Sequence, residues 1–364
     1  MKLQVTQENL NKALNSVARV ASGRNTLPIL ANVLIKTVGN RLSIAATNLD
    51  IAITHYIGSK ISDEGSITIP ARLVQDFVSS LPNGIIELKL EEYKLHFSTD
   101  SYQSTINGIA SEEFPVLPAI KEGQSWTINS QLLKNKLQQV IIAASSDETR
   151  PVLTGVYFHS NDKKKLIIVA TDSYRLAEAE VMNIDQEINL LVPVSAMQEL
   201  LRVISDFDGK VEVIHDDQQV LFRAGDIELV ARLIEGNYPK YGSLIPSKFE
   251  TTVTTQRSEL VNITKVSSLF ARENAGSITV VVDEDSQTLS IHSIASQLGE
   301  NTASLKGKIK GSGSITLNSR YLMDALHVLS GENIIFSFNG KLEPSLLKNP
   351  EAPDYLHVIM PLKS

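Results

Sequence analysis

Between residues 7 and 24, apolar side chains recur three and four positions apart at Leu10, Leu14, Val17 and Ala21. That spacing puts them on one face of an α-helix. The same rhythm returns at Leu133, Leu137, Val140 and Ala144, and at Leu260, Ile263, Ser267 and Phe270, predicting helices in the windows 130–150 and 257–272. Three further windows, 70–80, 194–206 and 319–329, turn Leu73 and Phe77, then Met197, Leu200 and Leu201, then Leu322 and Leu326, toward a core. Strands are predicted between them. Asn83-Gly84 precedes Ile86–Leu90, Asp208-Gly209 precedes Val211–Val213, and Gly331 precedes Ile334–Phe336, each a turn followed by an apolar or alternating run.

These elements repeat. The strand-to-helix junctions read IPARLVQDFVSSLP from Ile69, VPVSAMQELLRVIS from Val192 and LNSRYLMDALHVLS from Leu317, so Pro70, Pro193 and Asn318 recur after 123 and 125 residues. Proline is harmless at a helix start, where the first N–H groups lack partners. Each unit closes on an apolar residue and a proline, Phe114-Pro115, Tyr238-Pro239 and Met360-Pro361, at intervals of 124 and 122 residues. Two independent markers thus share one period. The reading is an α+β protein of three repeated domains, 1–122, 123–247 and 248–364, with linkers near Ile120–Gln124 and Ile245–Phe249.

One octapeptide stands out, Ala170-Thr-Asp-Ser-Tyr-Arg-Leu-Ala177. It follows the β-branched run Lys165–Val169, a buried strand by composition, and its start echoes Ala46-Thr47-Asn48 in the first repeat. Asp172 and Ser173 break the strand as turn residues do. Tyr174, Arg175 and Leu176 therefore leave a rigid strand end together, a trio better suited to gripping a peptide than to chemistry.

Composition narrows the class. With 364 residues and 42% hydrophobic content the chain supports two or three cores without help, and the absence of cysteine excludes disulfides and thiolate metal sites. The start, MKLQVTQENL, lacks the apolar run of a signal peptide, and no apolar stretch has spanning length, which places the chain in the cytoplasm. Net charge is −7, unlike the basic domains that wrap DNA. Its distribution matters more: the six helix windows hold 12 Lys and Arg against 8 Asp and Glu, leaving −11 to strands and loops. Lys12 and Arg19 share a face with Glu8, Asn15 and Ser22, and Lys134 and Gln138 repeat the pattern. Such faces are either plain solvated surface or, if they converge, a hydrated positive surface for a polyanion.

Together, Thr26-Leu-Pro-Ile-Leu30, Arg150-Pro-Val-Leu153 with Gly155, the octapeptide and the terminal Val358-Ile-Met-Pro-Leu362 resemble the bacterial DNA sliding clamp family, the β subunit of DNA polymerase III. The resemblance spans the chain. It implies a head-to-tail homodimer closing a six-domain ring, helices lining the hole and sheets outside, with retention on duplex DNA supplied by topology. It further implies a partner-peptide cleft at Leu153, Thr171, Ser173, Tyr174, Arg175, Leu176, Pro239, Leu244, Asn318, Tyr321, Val358, Met360, Pro361 and Leu362. The replicative polymerase α subunit, the clamp loader δ subunit, and repair and translesion polymerases would compete for it. DNA contacts are implied at Arg24, Arg72, Arg150 and Asn318, and a ring joint at Leu269, Phe270, Arg272 and Glu273 against Ile106. The chain departs from the family pattern where Ser173-Tyr174 replace a frequent Gly-His, Gly242-Ser243 and Val194-Ser195 replace basic pairs, Ser104 replaces an aromatic, and the chain ends in Lys363-Ser364.

No catalytic constellation assembles. The seven histidines, His55, His96, His159, His215, His292, His327 and His357, are scattered without metal-ligand spacing and read as surface or strand residues. Gly311-Ser-Gly313 lacks the third glycine of a dinucleotide loop, and Asp50 and Asp172, equivalent in the repeat, read as turn formers. No cofactor or metal is expected. The competing reading is a scaffold that keeps the peptide cleft and encircles nothing.

Overall fold

The computed structural model describes residues 1–21, 27–120, 122–272, 275–295 and 299–362. The described residues form six α-helices: α1 (Gln7–Val17), α2 (Ala71–Ser80), α3 (Ser130–Val140), α4 (Val194–Val203), α5 (Arg257–Phe270) and α6 (Ser319–Val328). The chain divides into two compact units, one of residues 1–132 and 198–233, the other of residues 133–197 and 234–364, so the middle repeat contributes to both.

In the first unit a five-stranded sheet runs in the order Lys60–Asp63, Lys2–Thr6, Ile85–Glu91, Lys94–Ser98, Gln103–Asn107. An eight-stranded sheet runs Gln124–Asn129, Lys210–His215, Gln219–Ala224, Ile227–Arg232, Ile51–Gly58, Arg41–Thr47, Asn32–Val38, Ser66–Pro70. Its middle is a junction between repeats, where Ile227↔His55 through Ala231↔Ile51 pair antiparallel. The second unit repeats the plan. Nine strands run Asn189–Pro193, Gly155–Ser160, Lys165–Thr171, Arg175–Asn183, Tyr355–Ile359, Ser345–Lys348, Asn333–Phe338, Thr251–Gln256, Lys308–Lys310. Arg175↔Ile359 through Ala179↔Tyr355 form the junction. A four-stranded sheet, Gly299–Lys306, Thr288–Ala295, Ser277–Asp283, Gly313–Asn318, completes it.

Helix α1 starts where the Thr6 hydroxyl accepts from the Asn9 N–H at 3.4 Å, and it buries Leu10, Ala13, Leu14 and Val17. It ends at Val17, so Arg19 lies beyond the helix face assigned to it. Helix α3 is likewise shorter than its window; the β-branched run Val140-Ile141-Ile142 tightens into a 3-10 turn over Ile141–Ala143. Helix α2 corrects a core assignment. Ala71, Val74 and Val78 are buried, whereas Leu73 is 54% exposed and Phe77 is half-buried, its ring edge-on to Phe97 at 5.3 Å. The helix enters from Pro70 in a phase that sets positions 71, 74 and 78 inward, about one residue's rotation from the phase read in the sequence. In α5 the buried face is Leu260, Thr264 and Ser267, with Ile263 and Phe270 only half-buried.

The linker at Ile245–Phe249 is no free connector: Ile245 and Phe249 pack on a core cluster of Val169, Leu176, Leu346 and Val358. Three histidines assigned to strands or surface, His55, His215 and His357, are buried strand residues.

Candidate functional site

The octapeptide forms a tight turn between strands Lys165–Thr171 and Arg175–Asn183. Asp172 organises it, one carboxylate oxygen accepting from the N–H groups of Tyr174 and Arg175, both at 2.9 Å. The Thr171 hydroxyl donates to the Arg175 carbonyl at 2.6 Å and accepts from the Ser173 N–H at 3.2 Å. Ser173 takes φ +77°, which explains why glycine suits this position. Tyr174 is thereby held outward, 57% exposed.

The first repeat has the same device. The Asn48 side-chain oxygen accepts from the N–H groups of Asp50 at 3.1 Å and Ile51 at 2.8 Å, the Thr47 hydroxyl donates to the Ile51 carbonyl at 2.9 Å, and Leu49 has φ +79°. Asn48, and not Asp50, is therefore the partner of Asp172 in the repeat.

Beside the turn, the chain leaving strand Tyr355–Ile359 passes the Met360 N–H to the Tyr174 carbonyl at 2.8 Å and the Leu362 N–H to the Thr316 carbonyl at 2.8 Å. Met360, Pro361 and Leu362 are half-buried. Leu176 pairs with Val358 across the sheet, and with Val169 and Leu346 they make an apolar floor. Tyr238 and Tyr241, flanking Pro239, pack on that floor, and Tyr238 stacks on Tyr157 at 4.8 Å. Tyr241 places its hydroxyl 2.8 Å from His159 Nε2. Burial raises both phenols above the ordinary tyrosine range and lowers the His159 imidazole, so the cluster is uncharged at neutral pH. Leu244 is 42% exposed on the following 3-10 turn, Gly242–Leu244.

On the far side Asn318 caps α6, its side-chain oxygen accepting from the N–H groups of Arg320 at 2.9 Å and Tyr321 at 3.4 Å. The Arg175 guanidinium lies 4.4 Å from the centre of the Tyr321 ring. Leu153 is 5% exposed in the 3-10 turn Pro151–Leu153, within the core. The structure thus draws Thr171, Ser173, Tyr174, Arg175, Leu176, Tyr321, Val358 and Met360 into one contact network. Sequence reasoning missed Tyr157, His159, Tyr238 and Tyr241; the alternation of Tyr157 and His159 on one strand was the available signal.

The residues assigned to DNA divide differently. Arg24 lies outside the described residues. Arg72 is exposed on the first turn of α2. Arg150 donates to the Asp147 carboxylate and to the Ser173 hydroxyl, each at 2.9 Å, so its head sits on the octapeptide turn. The Asp147 carboxyl is held below its usual range by Thr149 and then Arg150. Of the residues assigned to the joint, Leu269 is 50% exposed and Phe270 half-buried on α5, Arg272 is exposed, and Glu273 lies outside the described residues. Ile106 is only 6% exposed, on the edge strand Gln103–Asn107. Among the described residues no three metal-ligating side chains cluster, and no helix is long and apolar enough to cross a membrane.

Family models for the DNA polymerase III beta subunit match nearly the whole chain: the N-terminal domain at residues 1–118, the central domain at 127–240 and the C-terminal domain at 242–363. The chain belongs to this family. The beta sliding clamp of Bacillus subtilis (strain 168) is 30% identical over 378 residues, covering all of both chains. The crystal structure of the sliding clamp from the same species superposes with a TM-score of 0.96 at 29% identity, over 100% of this chain and 99% of that one. A sliding clamp from Pseudomonas aeruginosa, solved bound to griselimycin, superposes with a TM-score of 0.94 at 25% identity over all of both chains. Like these clamps, the chain is built from three α+β domains whose helices pack on sheets.

Proposed function

We propose that the chain is a DNA sliding clamp, an accessory subunit that encircles duplex DNA and tethers the replicative polymerase, conferring processivity. The observation that carries this is the end-to-end match of all three clamp domains to one chain; beside it stands the octapeptide turn, held by its own side chains over a buried apolar cluster that includes Leu176 and Val358, which we read as the partner-peptide groove. In this reading the domains are 1–122, 123–247 and 248–364, and two copies close head to tail into a ring of six. The groove takes short peptides of the polymerase α subunit, the clamp loader δ subunit, and repair and translesion polymerases in the cytoplasm. Main-chain edges give register and the pockets give selectivity.

The joint sets Leu269, Phe270 and Arg272 of one copy, with Glu273, against the first domain of the next. They meet it near Ile106, which is itself 6% exposed on the edge strand Gln103–Asn107. Arg24, Arg72, Arg150 and Asn318 supply weak phosphate contacts. Weak contacts suffice, since a closed ring is retained by topology and slides more freely when binding is light.

Electron microscopy of the purified protein, with class averages, tests the ring, and retention on nicked circular DNA after loading by the clamp loader, lost when the same DNA is linearised, tests encirclement. Particles without a central hole, or equal retention on both DNAs, would leave a peptide-binding scaffold as the function. Griselimycin binding, weakened by substitution at Leu176 or Met360, tests the groove.

A further inference from the structure

The Arg175 side chain is only 10% exposed, although it projects from the turn that shapes the groove. Its Nε donates to Asp172 at 3.1 Å, and its Nη1 donates to Asp324 of α6 at 2.6 Å. Between these contacts the guanidinium covers the Tyr321 ring at 4.4 Å. One planar cation therefore ties three things together: the carboxylate that builds the Thr171–Arg175 turn, the helix α6, and the aromatic wall that α6 presents. Arginine alone offers this combination of fork and flat face.

The first junction between repeats acts as an internal control. It has the same Asx turn, the same left-handed third residue and the same antiparallel pairing, and the Arg232 N–H reaches the Asp50 carbonyl at 2.9 Å as the Met360 N–H reaches the Tyr174 carbonyl. At the position equivalent to Arg175 it carries Ile51, which is 3% exposed. An apolar residue thus builds this type of junction unaided, and of the two junctions the arginine stands at the one beside the proposed groove.

We infer that Arg175 is a positioning residue for partner binding: it braces α6 against the octapeptide turn, fixing Tyr321 and Tyr174 as the two aromatic walls, and does not itself grip the peptide. The inference rests on the groove reading above. It predicts that Asp324, which holds Arg175 from α6, matters to binding as much as Arg175 does.

The test is titration calorimetry of the intact protein with griselimycin for Arg175→Met, Asp324→Ala, the double variant and Asp324→Glu. Each of the first two is expected to weaken binding at least ten-fold, the double variant no more than the worse single one, and Asp324→Glu to stay within three-fold of the parent. Asp324→Ala binding within two-fold of the parent while Arg175→Met loses affinity means direct contact with the ligand and overturns the brace. Parent-like binding by Arg175→Met overturns it too. Should Arg175→Met not fold, the contrast between Asp324→Ala and Asp324→Glu decides alone, because a general loss of structure would not be rescued by lengthening one carboxylate. Met360→Ala separates the two readings: if it leaves binding unchanged, the groove assignment itself has failed; if it weakens binding while Asp324→Ala does not, only the brace has.

Discussion

His357 is fully buried on strand Tyr355–Ile359, next to Val358 of the apolar cluster. The Tyr355 hydroxyl lies 3.1 Å from the Gln139 carbonyl, to which it donates, and 2.9 Å from His357 Nδ1. A hydroxyl has one proton, so Nδ1 is the donor in the second contact and the neutral ring leaves Nε2 bare, without a hydrogen-bond partner among the described residues. Burial, and then the Arg175 charge, lower its pKa from 6.5 to about 3. The unfolded chain takes up this proton below pH 6.5 and the folded chain does not, so stability is complete above that value and declines as pH falls toward 3. At pH 5, one and a half units below the ordinary value, the penalty is about 2 kcal/mol at ~1.4 kcal/mol per unit.

Replacing the ring with an apolar side chain removes the penalty. The Tyr355 hydroxyl keeps Gln139, so His357→Leu should lie within about 1 kcal/mol of the parent at pH 7.5. At pH 5 it should be the more stable by about 2 kcal/mol. A chain of several units does not unfold in one transition. The measurement is therefore hydrogen exchange at the amides of Tyr355–Ile359, converted to opening free energies at both pH values after correction for intrinsic rates. Parallel profiles for parent and variant would refute the reasoning, since they would mean that the folded state accepts the proton or that water reaches Nε2.

Three further outcomes are open to measurement. Leu176→Ala, at a 2% exposed position of the buried cluster, should cost about 2–5 kcal/mol by denaturant titration of its unit. Leu49→Gly, which relieves a branched side chain at φ +79° without losing any side-chain hydrogen bond, should raise the melting temperature slightly, by the equivalent of about 0.5–1 kcal/mol. On the head-to-tail ring proposed above, Leu269→Asp, at a half-exposed position of α5, should leave each chain folded but shift sedimentation from dimer to monomer.

The three-fold plan was legible in the sequence because it rests on local rules. Helix periodicity, turn pairs and the Thr-Asp and Thr-Asn echo act within a few residues, and the matching Asx turns at Asn48 and Asp172 bear the echo out. What was not legible depends on distant partners. Arg175 looked like a free hand for a peptide until Asp324, 149 residues on, closed over it. Lys136 is one of the cations that make the helix windows basic, yet it is 5% exposed and pairs with Asp354 at 2.6 Å. Leu73, read as inward, is exposed on α2, and Thr264, outside the face read for α5, is buried, because a helix satisfies two neighbouring phases nearly equally and only packing chooses between them. Alternation along the strand announces the Tyr157–His159 pair, but no spacing announces that Tyr241 joins it from a connector.

The ladders that cross from one repeat to the next bear on how this gene product could be cut. Strand Ile51–Gly58 is stitched along five residue pairs to Ile227–Arg232, and Arg175–Asn183 along five to Tyr355–Ile359. Excising residues 1–122 would therefore not free a self-contained module; it would strip one side of Ile51–Gly58 and leave a long apolar edge open to any passing strand. The repeats count three in sequence, but for expression, labelling or grafting the smallest safe piece is the whole chain.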